Sequence, residues 1–101
     1  MSFSWTEYLV LAEALVRHRA TFAPEEACCR AAISRAYYAA YGGARNYARD
    51  GEGLVLGHSG EDHALVLGRF RQGPSRAHRR MYWLLFRLRG LRDQADYADS
   101  L

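Results

Sequence analysis

The groups in this 101-residue chain that could handle a phosphate or a proton are 14 basic residues and four histidines. Every basic residue is an arginine, because the sequence contains no lysine. A guanidinium donates two hydrogen bonds at once to phosphate oxygens and stacks on aromatic rings, which an ammonium does less well. With 11 acidic residues the net charge is +3, which favours a polyanionic partner. A compositional bias toward arginine, without functional meaning, explains the same count equally well.

Arg92 and Asp96 are the pair whose spacing most directly indicates a site. They are four residues apart, so they share one face of a predicted helix. Arg35 lies beside a face of small residues in another predicted helix. One interpretation is a partly buried network of ion pairs that joins the helices, because buried charges need partners. The other interpretation is an anion-binding site.

Common enzyme templates are missing from the sequence. It contains no Walker loop, no dinucleotide-binding glycine fingerprint and no helical zinc pair. His58 and His63 are five residues apart across a predicted helix start, which is a poor spacing for metal ligands. We therefore expect no metal and no cofactor, and we interpret His58 first as a loop or capping residue.

The cellular setting is predicted from cysteines and hydropathy. Cys28 and Cys29 are adjacent, so they cannot pair with each other without breaking a helix. No apolar run approaches the roughly 18–20 residues that span a bilayer, and the N-terminus lacks a secretory signal. We expect a cytoplasmic protein without a membrane partner.

Hydrophobic spacing predicts four helices over residues 4–19, 24–49, 60–71 and 75–98. No segment alternates with period two, and the connections are short. The predicted fold is therefore all-α, an up-and-down four-helix bundle that forms a single domain over residues 1–101. Local signals place the helix ends: a capping box at Ser4 and Glu7, a stop at Asp50-Gly51, a cap at Ser59 with Asp62, and a start at Ser75.

Two helix faces are predicted to pack. The second helix carries a face of small residues, which lets another helix approach closely: Cys28, Ala31, Ala32, Ala39 and Gly42. The fourth helix carries an apolar seam at alternating four- and three-residue spacing: Ala77, Met81, Leu84, Leu88, Leu91, Ala95 and Ala98.

Three segments occur in order along the chain: Ile33-Ser-Arg-Ala-Tyr-Tyr-Ala-Ala-Tyr41, Gly57-His-Ser-Gly60 and Leu91-Arg-Asp-Gln-Ala-Asp-Tyr97. Together they resemble the HEPN domain family, the nucleotide-binding helical domain of higher eukaryotes and prokaryotes. The resemblance is to its small single-domain prokaryotic branch and covers nearly the whole chain. It implies a HEPN-like helical bundle that forms a homodimer, with the fourth helices of two subunits facing each other.

The resemblance also implies an activity. Many family members are metal-independent ribonucleases, and many act with a nucleotidyltransferase partner in toxin–antitoxin pairs. Catalytic members carry an arginine followed after four to six residues by a histidine, which suits attack by a ribose 2′-hydroxyl. Here Arg92 is followed by Tyr97, and a phenol is a poor general base at neutral pH. The ribonuclease motif is thus degenerate.

The candidate site residues fall into two sets. Those that would be catalytic are Arg92, Asp96 and Tyr97. Those that would bind an anion or ligand are Arg35, Tyr38, His58 and Arg92.

Three functions follow as hypotheses. The leading one is a HEPN-type dimer that binds a nucleotide, a nucleic acid or a nucleotidyltransferase in a toxin–antitoxin or defence module, without strong ribonuclease activity. The first alternative is an active metal-independent ribonuclease with an atypical site of Arg92, Asp96 and Tyr97. The second is a purely structural interaction subunit.

Overall fold

The computed structural model describes residues 3–100, and this part of the chain consists of four α-helices without a strand. The helices are α1 (Thr6–Arg17), α2 (Glu25–Glu52), α3 (Asp62–Gln72) and α4 (Arg76–Tyr97). The prediction of an all-α helical bundle is confirmed. Residues 1, 2 and 101 of the predicted domain lie outside the described residues.

The start of α1 differs from the sequence prediction. Trp5 occupies the N-cap position, and no side chain caps this end. The Ser4 hydroxyl bonds instead to the Thr6 hydroxyl at 2.7 Å, and the Ser4 carbonyl accepts the backbone N–H of Glu7. The predicted capping box at Ser4 and Glu7 is therefore wrong, because the serine hydroxyl bonds to the hydroxyl of Thr6, two residues further along the chain.

The end of α2 lies beyond the predicted stop at Asp50-Gly51. Asp50 pairs with the adjacent Arg49 at 2.7 Å and stays within the helix. The left-handed turn is made by Gly53, whose φ is 73°. A glycine adopts that backbone conformation without a Cβ clash, so the chain reverses there rather than at Gly51.

The start of α3 corrects a second cap. Glu61 is the N-cap residue, so the predicted cap of this helix by the Ser59 side chain is wrong. The Ser59 hydroxyl accepts the N–H of Glu61 instead, at 3.3 Å. Asp62 is buried, and its carboxylate accepts the backbone N–H of Gly57 at 2.9 Å. Asp62 thus holds the connection that precedes α3 against the helix.

Helix α2 is the centre of the packing. Within residues 3–100, α1 packs against α2 alone, whereas α4 packs against both α2 and α3. The indole of Trp5 lies on the backbone of Gly42, where a Cβ atom would overlap the ring. This contact confirms the close approach predicted for the small-residue face at Gly42. The main core cluster joins α2, α3 and α4: Tyr37, Tyr41, Ala44, Ala48, Val66, Phe70 and Leu85.

The predicted seam of α4 is only partly a core face. Ala95 is buried, but Leu84 and Leu91 are exposed, and the buried leucine of the middle turns is Leu85. That part of the prediction is wrong, because α2 and α3 cover only one side of α4. No helix among residues 3–100 has the length and apolarity needed to cross a bilayer.

The contact between Trp5 and Gly42 yields a stability prediction with a matched control. Gly42→Ala should lower the free energy of unfolding by about 1–3 kcal/mol, because the new methyl group overlaps the indole. Gly43→Ala places its methyl group in open space and should raise that free energy by about 0.5–1 kcal/mol through helix propensity. Urea titration followed by circular dichroism measures both, and equal effects would contradict the packing role of Gly42.

Candidate anion-binding site

Arg92 is the charged side chain around which the site is built. Helix α4 places it against the tyrosines of α2, and its side chain is only 13% exposed. Its Cζ lies 5.2 Å from the centre of the Tyr37 ring and 5.7 Å from that of Tyr38. Its Nη1 also donates to the Tyr38 hydroxyl at 3.4 Å. The two rings therefore hold the guanidinium by cation–π attraction and packing.

Two carboxylates of α4 compete for the same guanidinium. Nη2 of Arg92 lies 2.9 Å from Oδ1 of Asp93, and Nη1 lies 4.0 Å from Oδ2 of Asp96. The Asp93 side chain is 54% exposed, so water screens this closer pair. Nε of Arg92 is buried without a hydrogen-bond partner among the residues that the structure describes. The guanidinium thus retains unsatisfied donor capacity.

Arg35 joins the site through Ser34 and Tyr38. Its Cζ lies 5.3 Å from the centre of the Tyr38 ring and 4.8 Å from that of Tyr8 on α1. Its Nη2 donates to the Ser34 hydroxyl at 3.4 Å, and this hydroxyl donates to Asp96 at 3.3 Å. A continuous set of polar contacts therefore runs from α1 across α2 to α4.

His63 of α3 is a site residue that the sequence analysis missed. Its Nδ1 lies 2.7 Å from the Tyr37 hydroxyl, and its ring stacks on Tyr41 at 4.0 Å between centres. A signal was present in the sequence, since His63 is three residues before Val66 and seven before Phe70, on the core-facing side of a helix.

The charges around His63 are mostly positive. Burial is the main reason that the pKa of His63 lies below its ordinary value, and the charges of Arg89, Arg92 and Arg45 lower that pKa further. Only Asp62 acts in the opposite direction. Several guanidinium groups thus converge on one aromatic cluster, and their combined field favours an anion.

Tyr37 shows the effect of burial on a phenol. Burial raises the pKa of Tyr37 to about 12, although the charges of Arg89 and Arg92 act in the opposite direction. The Tyr37 hydroxyl therefore remains protonated at neutral pH. It is able to donate to Nδ1 of His63 when that ring is neutral with its proton on Nε2.

The structure brings together four of the residues that the sequence singled out and leaves two apart. Arg35, Tyr38, Arg92 and Asp96 lie in one set of contacts. Tyr97 is 76% exposed at the last turn of α4. His58 is exposed in the connection before α3, with a left-handed φ of 57°. Among residues 3–100, no hydrogen bond, ion pair or ring contact links Tyr97 or His58 to Arg92.

Within the described residues, no three side chains of His, Cys, Asp or Glu converge as metal ligands would. No family model, no curated protein and no solved structure matches this chain.

His63 yields a prediction for acid stability. Its pKa is lower in the folded protein than in the unfolded chain, so the unfolded chain takes up the proton first as the pH falls. The free energy of unfolding should decrease as the pH drops below about 6.5. His63→Gln should remove this part of the acid sensitivity, whereas His18→Gln, at an exposed position, should keep it. Thermal melts between pH 5 and 8 test this (a window set by the ordinary pKa of histidine), and equal slopes in all three proteins would refute it.

Proposed function

We propose that this chain is a HEPN-type helical module that binds the phosphate groups of a nucleotide or RNA at Arg92. The observation that carries the proposal is the way the guanidinium is held. Tyr37 and Tyr38 fix its plane, while its close ionic partner Asp93 is an exposed carboxylate. A phosphate oxygen has the same preference for a forked guanidinium as a carboxylate oxygen has. An incoming phosphate is therefore able to take the place of Asp93.

The neighbouring charges support the same proposal. Arg35 lies over the ring of Tyr38. Arg89 and Arg45 add positive charge near His63, whose ring is stacked on another tyrosine of the cluster. Arginines interleaved with aromatic rings are typical of surfaces that bind nucleic acid, because they combine charge with stacking. Desolvation among the rings also strengthens each charge interaction relative to water.

The proposal includes a homodimer in which α4 meets its counterpart. Exposed apolar side chains on α4 support it, since large exposed apolar side chains on one helix are typical of interaction surfaces, and two of them, Leu84 and Leu91, belong to the predicted seam. These side chains are Trp83, Leu84, Phe86 and Leu91. The resemblance to the HEPN family supplies the rest of the proposal: an up-and-down order of the helices, a cytoplasmic setting, and a nucleotidyltransferase partner in a toxin–antitoxin or defence module.

Strong ribonuclease activity is not part of the proposal. Tyr97 projects from the exposed end of α4, and His58 belongs to the connection before α3. The imidazole that does lie in the field of Arg92 is His63, and it is bonded to Tyr37 and stacked on Tyr41. A ring held in this way is poorly placed to move the proton of a ribose hydroxyl, which requires direct hydrogen-bond reach.

A structural subunit is the second candidate function. It is favoured by the ion pairs that Arg92 forms with Asp93 and Asp96 and by the low exposure of its side chain. Removal of one partner of a buried charge network destabilises a fold strongly. The two candidates differ in what happens when only the exposed partner of Arg92 is changed.

Fluorescence anisotropy with a labelled single-stranded RNA in EDTA tests the proposal. Asp93→Asn should tighten binding about twofold to fivefold, because it removes an exposed competitor for the guanidinium. Asp50→Asn, which makes the same charge change at the exposed Arg49 pair, should leave affinity almost unchanged. Arg92→Ala should weaken binding about 10-fold or more.

The remaining outcomes decide between the candidates. RNA affinity that is unchanged in Asp93→Asn and Arg92→Ala, with a lower melting temperature in the latter, would overturn the proposal in favour of a structural subunit. RNA cleavage in EDTA that disappears in Arg92→Ala would overturn it in favour of the ribonuclease. Wild-type binding should also weaken steeply as salt increases, because phosphate contacts release counterions.

A further inference from the structure

A second cluster of reactive side chains lies at the opposite end of α4, about 25 Å along the helix from Arg92. The Ser75 hydroxyl lies 2.6 Å from Nδ1 of His78. Nε2 of the same ring lies 2.6 Å from Oε2 of Glu52. Ser75 is the N-cap residue of α4, and Glu52 is the last residue of α2. A hydroxyl, an imidazole and a carboxylate therefore stand in one line of hydrogen bonds.

With Glu52 ionised and the imidazole neutral, the hydrogen bonds fit one tautomer of His78. With the ring proton on Nε2, His78 donates to Glu52, and Nδ1 accepts the hydroxyl proton of Ser75. The Ser75 oxygen also accepts the backbone N–H of His78 at 3.1 Å, and a further lone pair remains on that oxygen. This is the order of nucleophile, base and orienting acid found in serine hydrolases, with the two ring nitrogens exchanged.

Helix capping alone does not account for Glu52. Its side chain is 19% exposed, and Oε1 is buried without a hydrogen-bond partner within residues 3–100. It also lies at the C-terminal end of α2, where the helix dipole disfavours a negative charge. The Glu52 carboxylate is thus kept in place although its burial and the helix dipole are both unfavourable. In this it resembles the buried acid that orients a catalytic imidazole. A capping box needs no such group.

Gly73 shows that the ring of His78 has a reserved position. A Cβ atom on Gly73 would overlap Cγ and Cδ2 of His78. The backbone of Gly73 has a φ of −65°, which any residue adopts, so its conformation does not require glycine. Glycine is required at this position because a side chain would occupy the space of the imidazole. Phe70 also contacts the ring, with 5.7 Å between ring centres.

A cavity of about 310 Å³ opens beside Ser75 and His78. Its other walls are mainly apolar and include Tyr47, Phe70 and Met81. This volume is at the lower end of the range for small-molecule sites and suits a short acyl chain. Ser75 is exposed, so its hydroxyl is within reach of a molecule in the cavity. The start of α4 borders this cavity, and the free backbone N–H groups of a helix N-terminus stabilise negative charge that develops beside them.

We propose that Ser75 is the nucleophile of an esterase site for small esters with a short apolar acyl group. The Ser75 oxygen bonds to the ester carbonyl carbon while its proton moves to Nδ1 of His78. The bond from that carbon to the alcohol oxygen breaks, and the departing alcohol takes the proton from Nδ1. The acyl group is then on Ser75. Water attacks the acyl carbon, its proton passes through Nδ1 to the serine oxygen, and the carboxylic acid leaves.

The test uses the full chain with p-nitrophenyl butyrate and with a fluorophosphonate that reacts with activated serines. We expect one fluorophosphonate adduct per chain, mapped by mass spectrometry to Ser75. We also expect a burst of p-nitrophenol at the start of turnover, because the acyl-serine, an ordinary alkyl ester, hydrolyses more slowly than it forms from the activated p-nitrophenyl ester. His78→Gln should slow the labelling about 100-fold or more. This substitution keeps the Ser-x-x-Gln form of a capping box, so the start of α4 retains its cap.

Two further variants separate catalysis from folding and from background. Glu52→Gln should also slow the labelling, with the melting temperature checked on the same sample. His18→Gln removes an exposed imidazole elsewhere and should change neither labelling nor burst. Absence of a Ser75 adduct in the folded wild-type protein would overturn the proposal. Labelling that proceeds at the wild-type rate in His78→Gln and Glu52→Gln would overturn it as well.

Discussion

The contact between Tyr37 and its two polar neighbours is the interaction on which the rest of the bundle depends. The Tyr37 hydroxyl bonds to His63 of α3, and its ring lies beneath Arg92 of α4. Tyr37 is itself almost completely buried in α2. A buried hydroxyl without a partner would cost about 1–3 kcal/mol, so this bond constrains how α3 docks. One side chain therefore joins three of the four helices.

The exclusive use of arginine fits this arrangement. Arg92 and Arg35 both lie near the ring of Tyr38, and a guanidinium tolerates such a position because it is weakly hydrated and planar. A lysine ammonium in the same place would lose more hydration and could not stack. Four arginines thus lie over aromatic rings, Arg35, Arg45, Arg71 and Arg92, while others, such as Arg76 and Arg80, are exposed. This combination supports the proposal that the candidate site binds an anion.

Sequence reasoning recovered the helices but not all of their ends. Hydrophobic spacing extends over many residues, so the existence of each helix is strongly indicated. An end depends on one or two local bonds, and at Ser4 and Ser59 the serine side chain formed a different bond from the expected one. At Ser75 the cap is present, since its oxygen accepts the N–H of His78. The second helix ends at Gly53 and not at the expected Gly51, because Gly53 is the glycine with the positive φ. The sequence alone does not show which glycine adopts that conformation.

The candidate site divides in the same way. The grouping of Arg92 with Asp96 follows from their spacing on one helix, and that grouping is present in the structure. The partner of His63 could not be predicted, because Tyr37 lies 26 residues away on another helix. The exposure of Leu84 and Leu91 was equally hidden, since a helical seam does not reveal which of its residues a neighbour covers.

By itself, the sequence determined four amphipathic helices and the side chains that share each helical face. The hydrophobic period and the spacing of residues are local properties, so they can be determined from the sequence without knowledge of the packing. The tertiary structure alone decided that His63 meets Tyr37 and that Glu52 meets His78. Those pairs depend on the angle and register at which separate helices dock, which arise from the packing of the whole core.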